Sequence, residues 1–424
     1  MAGRHNVQIP SSISDPIGPN QICYTPEILL TILELVKDIP YEKAIQILNK
    51  LLYRKDDPIS TRTINDLIHT LGKIRSDIKD SLLNCLEEHG YDKNTGLKKE
   101  NTDEQSKNNE VSLALYRKEF VKEALNYIIY HNSRDPFTQI PLESVLELEF
   151  DPLKTIYADL DDVFVTRQND ERAVHGKKAV KNGKYVSHTN ITIRYNLGKY
   201  FFTADNTNEA CRIVLAFLLK NNLINTYQVV FTFDGAQSIR KNLAEIFKNL
   251  PIQPIFRLDW YHLCKKINEF CSMALIGGKN NFKENRKIKG MIIKQLWYGR
   301  VDEARDLIKN IDRKKVKNAE KILELDKYLE NRSEYICCYA LRKKLRLVNS
   351  SNSVESANFR IVCKRQKHNG YSWGEHGSKS LATLTALYLN NELEEYLING
   401  TISFRPVQHK KVFWEQNIKS RNVA

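Results

Sequence analysis

A mixed α/β fold is predicted, in which a mixed β-sheet core with a helical insertion follows an all-α N-terminal domain. Three observations predict it. Residues 22–72 read as short capped helices. Between 153 and 258 the pattern changes to β-rich runs that give way to an α-β-α-β alternation. From Trp260 to about 345 every segment again has helical spacing.

Residues 1–21 are polar and carry Pro and Gly, as in a loose arm. Thr25-Pro26-Glu27 then opens a helix with a capping hydroxyl, a first-turn proline and an acid at the positive end. A second helix is expected from about Tyr41 to Leu52. A third runs from Ser60 as N-cap to Gly72 as C-cap. Together these suggest a helix-turn-helix-like DNA-binding domain over 22–91, with Thr61, Arg62, Asn65 and His69 facing outward. An ordinary three-helix domain fits the same residues.

Residues 92–150 read as a linker and a connecting helix. The runs LKTIYADLDDVFV, YVSHTNITIRYNL and KYFFTAD predict three strands, the last two antiparallel. TYQVVFTFD and PIFRLD predict two more, separated by helices. This order matches an RNase H-like core, with its first part at 151–259, a helical insertion at 260–345, its last part at 346–400 and a basic tail at 401–424.

Composition narrows the function. The 424 residues carry 65 Lys and Arg against 51 Asp and Glu, a net charge of +14. So basic a chain suggests a polyanionic partner, most often nucleic acid. No run approaches the roughly 18 apolar residues of a membrane span. The first residues lack a signal peptide's apolar core, which suggests a cytoplasmic, nucleoid-associated protein. The eight cysteines form no C-x-x-C pair, so neither a zinc ribbon nor a redox motif is expected. No G-x-x-x-x-G-K-[ST] loop occurs, which argues against a nucleotide-driven motor.

Three acids fall where such a core would place metal ligands. Asp161 is expected at or near the end of the first strand, and Asp234 at the end of the fourth, just before Gly235. Those two strands are neighbours in this fold. Glu355 is the one acid between Arg342 and Lys367, a stretch with eight Lys and Arg residues. Converging carboxylates suit the hard ions Mg²⁺ or Mn²⁺, and two such ions can drive in-line phosphodiester transfer. Simpler roles exist for each: a turn-forming Asp-Gly at Asp234, or a dipole-facing acid at Glu355. On the first strand Asp159 shares a face with Asp161, and Asp162 points away. Asp159 is therefore the alternative first ligand.

At these residues the chain resembles bacterial insertion-sequence transposases of the Lre class. The resemblance covers roughly residues 22 to 400. It is carried by YTPEILLTILELV with ISTRTINDLIHTLG, by YADLDDVFV, by FDGAQSIRKNLAEIF with FRLDWYHLCKKI, and by NSSNSVESANFRIVCKRQKHNGYSWGEHGSKSLATL. There is no cysteine-rich N-terminal finger. The resemblance implies an acidic triad on an RNase H-like core, metal-dependent cleavage at element ends and strand transfer into target DNA. It also implies an accessory role for Asp259 and His262. Terminal inverted repeats and target DNA would be the partners, held by a homo-oligomer. Arg346, Arg360, Lys364, Arg365 and Lys367 would grip phosphates, and Trp373, Trp297 and Tyr298 are candidates for stacking on bases. Two other readings fit the same residues: an RNase H-like nuclease without strand transfer, and a non-enzymatic helix-turn-helix regulator.

Overall fold

The computed structural model describes residues 24–52, 59–99, 109–135, 138–149, 154–169, 184–195, 198–235, 237–248, 250–278, 281–367 and 370–408, with backbone alone for 109–119, 237–238 and 407–408. The expected arm and most of the expected basic tail lie outside these residues. The fold is mixed α/β. Two compact units are formed, one from 1–100, 160–221 and 353–424, the other from 101–159 and 222–352.

The first unit begins with α1 (Pro26–Val36), α2 (Tyr41–Leu51), α3 (Thr61–Leu71) and α4 (Ile74–Glu88). The caps are those the sequence suggested: Thr25 accepts from Ile28 N, and Ser60 from Thr63 N. The fourth helix was not foreseen. Gly72 is not a left-handed cap either, since its φ is −69°. A Cβ there would collide with the Ser380 side chain, so the glycine serves close packing. Ile64, Ile68 and Leu71 join one apolar core with Leu381, Leu384 and Leu387 of α14 (Glu375–Leu389) and with Leu393 and Leu397 of α15 (Leu393–Asn399). The first three helices thus bury their apolar faces against the C-terminal ones, leaving the first turn of α3 to solvent.

The second unit holds α5 (Asn109–Arg134), α7 (Gln237–Phe247) and a run of helices: α8 (Trp260–Ala274), α9 (Phe282–Trp297), α10 (Val301–Lys309), α11 (Ala319–Glu330) and α12 (Tyr339–Lys344). Leu263, Ile267 and Cys271 of α8 pack with Ile292, Leu296, Ile308, Leu325 and Leu329 in a core of their own. This is the helical segment expected between Trp260 and 345.

The strands are β1 (Thr155–Thr166), β2 (Tyr185–Tyr195), β3 (Gly198–Ala204), β4 (Gln228–Phe233), β5 (Ile255–Leu258) and the short edge β6 (Val407–Gln408), in the order β5-β4-β1-β2-β3-β6. β2 and β3 are antiparallel, while β4 is parallel to both β1 and β5. The expected neighbourhood of the first and fourth strands is observed, and the arrangement is compatible with an RNase H-like core. In the first unit α6 (Thr207–Lys220) is almost wholly buried. All six residues of β4 are buried, which forces its first polar carboxylate to the strand end.

Candidate active site

Asp234 follows the last residue of β4 and is exposed. The chain turns at once through Gly235, whose φ of +99° few other residues adopt. Arg332 holds this turn by donating from Nη2 to the Gly235 carbonyl at 2.9 Å. Its guanidinium lies 4.2 Å from the centre of the Tyr328 ring. Burial pushes the Tyr328 phenol up to about 12, Arg332 opposes the rise, and the negative charge of Asp234 adds to it.

The first strand separates its three acids as alternation requires. Asp159 is fully buried and paired in register with Thr232. Asp161 is half-buried. Asp162 lies on the other face, where the Thr189 hydroxyl donates to it. One expectation needs adjusting: Asp161 is not at the strand end, because β1 continues to Thr166. Trp373 N donates to the Thr166 carbonyl and Gln168 N to the Trp373 carbonyl, both at 2.9 Å, and these bonds keep the far half extended. What ends near Asp161 is the β1–β4 ladder, whose last registered pair is Asp159–Thr232. Asp161 and Asp234 each follow that pair by two residues.

Glu355 is half-buried on α13 (Asn352–Asn358). Three residues on, and so on the same helical face, Asn358 donates from Nδ2 to Asp161 Oδ2 at 2.6 Å. Asn190 of β2 in turn donates to Asn358 Oδ1 at 2.7 Å. The helix carrying the third acid is therefore bonded to the strand carrying the first. Neither asparagine was singled out from sequence. The only sequence signal is the Glu-x-x-Asn spacing, since the bond from Asn190 spans 168 residues.

After Asn358 the helix widens into a π-helical segment, Phe359–Lys367. Such geometry is rare and tends to mark functional positions. It turns Arg365 and Gln366 inward. Arg365 lies 4.8 Å from the Trp373 ring and 5.1 Å from that of Tyr41, and its Nε donates to the Val36 carbonyl. Both Arg365 and Trp373 are interior residues, not the surface contacts expected. Arg360, Lys364 and Lys367 are exposed, with Lys364 paired to Asp38 at 2.9 Å. Arg346 is also exposed, at a φ of +63°. Thr61, Arg62 and Asn65 face solvent, while His69 packs on the His376 ring at 4.7 Å. Trp297 and Tyr298 are engaged within their own unit, Trp297 with Trp260 and Tyr298 with His131.

Asp259 has a defined structural task. It caps α8 by accepting from His262 N at 2.8 Å, and accepts from both the backbone N and the hydroxyl of Ser351. Burial would raise its pKa, but the bonds from His262 and Ser351 outweigh that and hold the carboxyl below the usual range. The imidazole Nδ1 of His262 lies 3.3 Å from the same carboxylate. Trp260 N adds a bond to the Asn349 carbonyl. The start of α8 thus pins residues 349–351 of the same unit.

Residues 147–395, more than half of the chain, match UPF0236, an uncharacterised protein family. The chain belongs to UPF0236. The matched region runs from before β1 into α15, so it contains Asp161, Asp234, Asp259, Glu355 and Asn358 of this UPF0236 member. No curated protein matches the chain. Among solved structures, the Drosophila P element transposase strand transfer complex aligns over 96% of this chain and 88% of that one, at 11% identity and a TM-score of 0.28. A likeness that low establishes neither a shared fold nor a shared activity. No described helix is long and apolar enough to cross a membrane.

Proposed function

We propose that this UPF0236 protein is a DNA transposase, similar to the Lre class of insertion-sequence enzymes, built on an RNase H-like core with Asp161, Asp234 and Glu355 as its acidic triad. The observation that carries the reading is the Asn358 bond, which ties the helix of Glu355 to Asp161. Asp161 and Asp234 support it by their places, two residues beyond the last pair of two parallel neighbouring strands.

The donor set fits a hard divalent cation: three carboxylates, two half-buried and one exposed, rather than thiolates or imidazoles. Asp161, Asp234 and Glu355 would hold Mg²⁺ or Mn²⁺, which when bound activates the attacking oxygen and stabilises the leaving one. Asp159 suits this less well, because a ligand must reach solvent-borne metal and Asp159 is fully buried. Asn358 fixes the rotamer of Asp161. The exposed Thr61, Arg62 and Asn65 would read the element's ends, and Arg346, Arg360, Lys364 and Lys367 would hold phosphates. Synapsis of two ends calls for at least a dimer.

The test is a donor plasmid carrying the DNA that flanks the coding region, incubated with the protein, Mg²⁺ and a target plasmid. Joined products dependent on Asp161, Asp234 and Glu355 are expected. Cleavage without joining would favour the nuclease reading. Binding with no cleavage in either metal would favour the regulator.

A further inference from the structure

We propose that the groove between α8 and α9 is a binding site for the sugar-phosphate backbone of nucleic acid, separate from the acidic triad. It rests on the reading of this protein as one that acts on DNA. The groove encloses about 540 Å³. Two stripes at helical spacing face each other across it: Asn268, Cys271, Ser272 and Leu275 on one side, Arg286, Lys289, Gly290 and Ile293 on the other. The floor is apolar, with Cys271 and Leu275 buried. The rim is cationic. Asn285 ties α9 to the Ile276 carbonyl at 2.9 Å and so fixes the end of the groove.

Three features point to a phosphodiester chain. The first is charge. α9 carries Lys283, Arg286, Lys287, Lys289 and Lys294 against one acid, Glu284, and that acid is paired with Lys315 at 2.6 Å. Among the described residues neither Arg286 nor Lys289 makes an ion pair. The second is Gly290. Glycine is the least favoured residue but proline in a helix interior, and here a Cβ would meet no atom within 4 Å. Packing gives no reason for it, whereas close approach of a ligand to the helix does. The third is that Gly277 and Gly278, at the other lip, are equally open. Sugars on an apolar floor with phosphates at a cationic rim match this lining.

The experiment uses the full chain and a fluorescent duplex of arbitrary sequence, with anisotropy measured across a salt series. The double variant Arg286→Glu/Lys289→Glu is expected to bind about tenfold more weakly or worse, with a salt slope shallower by roughly two, one per lost phosphate contact. Gly290→Leu should also weaken binding while its melting temperature stays at or above that of the wild type. A merely structural glycine would not give that split. If the wild type binds no DNA at low salt, the functional reading itself fails. If it binds and both variants keep its affinity and slope, the groove assignment alone is overturned. Displacement of the duplex by poly-glutamate as effectively as by unlabelled DNA would also overturn it, and would identify an acidic protein segment as the partner.

Discussion

Asp259 in one unit, just after β5, and Asp161 in the other, within β1, are both strand-borne acids and receive opposite treatment. Asp259 is 1% exposed and takes donors from His262 and Ser351. Its charge is enclosed and used to join two parts of one unit. Asp161 is half-buried, and Asn358 directs it from one side. An enclosed carboxylate with several protein donors is a structural fastening, whereas one that is oriented yet accessible can take an external ligand. The contrast says which acids to expect in chemistry and which in stability.

The largest expected effect would break that contrast most directly. Asp161→Asn and Glu355→Gln should each lower end cleavage by at least about a hundredfold, beyond the loss typical for groups outside the metal shell. Their unfolding midpoints should stay near that of the wild type. Mn²⁺ should rescue Asp161→Asn poorly, while Asp159→Asn should retain partial cleavage with a higher metal requirement. Metal titrations of both variants decide it. Should Asp159→Asn be dead and Asp161→Asn cut normally, the first ligand moves by two residues.

Asp259→Ala should show the reverse pattern. It removes a helix cap and charge-assisted bonds to Ser351, a loss of about 3 kcal/mol. Denaturant unfolding would read it directly. Its depressed pKa sets the sign with pH: the stabilisation is present above the ordinary carboxylate value near 3.9 and fades as pH falls through the lower folded value. A variant that unfolds like the wild type but does not cleave would make Asp259 part of the chemistry.

The same distinction marks what could be read from sequence. The place of Asp234 was legible because a strand as apolar as VVFTF leaves a carboxylate only its end. The faces of Asp159, Asp161 and Asp162 were legible because strand alternation is local. The run of β1 past Asp161 was legible too, since the β-rich stretch reaches Val165, but the bonds from Trp373 that hold its far end, more than two hundred residues away, were not. Arg365 and Trp373 looked like surface groups because charge and aromaticity reveal neither the π-helical turn that points Arg365 inward nor the bonds to Thr166 and Gln366 that hold Trp373 in place. Gly72 was placed at the right boundary for the wrong reason, because a collision with Ser380 is invisible in a local window.

His188 extends the comparison to an enclosed imidazole in the first unit. Its Nε2 lies 2.8 Å from Ser378 Oγ, which donates onward to Gln366. Burial pushes its pKa down to about 4, with Lys379 and Arg75 lowering it further against Asp205 and Glu375. The folded protein therefore keeps it neutral where the unfolded chain, with a pKa near 6.5, takes up a proton. Its stabilisation is complete above about pH 6.5 and is lost as pH falls toward 4, by about 3 kcal/mol in all. Urea midpoints at pH 7 and 4.5 should differ in the wild type and much less in His188→Gln. An equal acid loss in both would assign the effect to other groups.

The smallest effect is the sharpest, because Asn358 stands between the two classes. It is largely buried like a fastening, yet its bond ends on an accessible acid. An ionised carboxylate only accepts hydrogen bonds, so the Asn358 amide must turn its NH₂ group to Asp161. Its carbonyl oxygen then faces Asn190, which must present NH₂ in turn. Both orientations follow from a single charge. Asn358→Ala should weaken Mn²⁺ binding, measured by calorimetry, by roughly 10–100-fold, as for other residues that orient a ligand. Asn190→Asp should act at one remove. Its carboxylate would compete for the same NH₂ group, turn the Asn358 amide over and set an oxygen against Asp161. That variant should weaken Mn²⁺ binding although it touches no proposed ligand, and Asn190→Ser should do so less. If Asn190→Asp and Asn358→Ala both bind Mn²⁺ like the wild type while Glu355→Gln does not, the two asparagines are fastenings only and the amide chain has no part in directing Asp161.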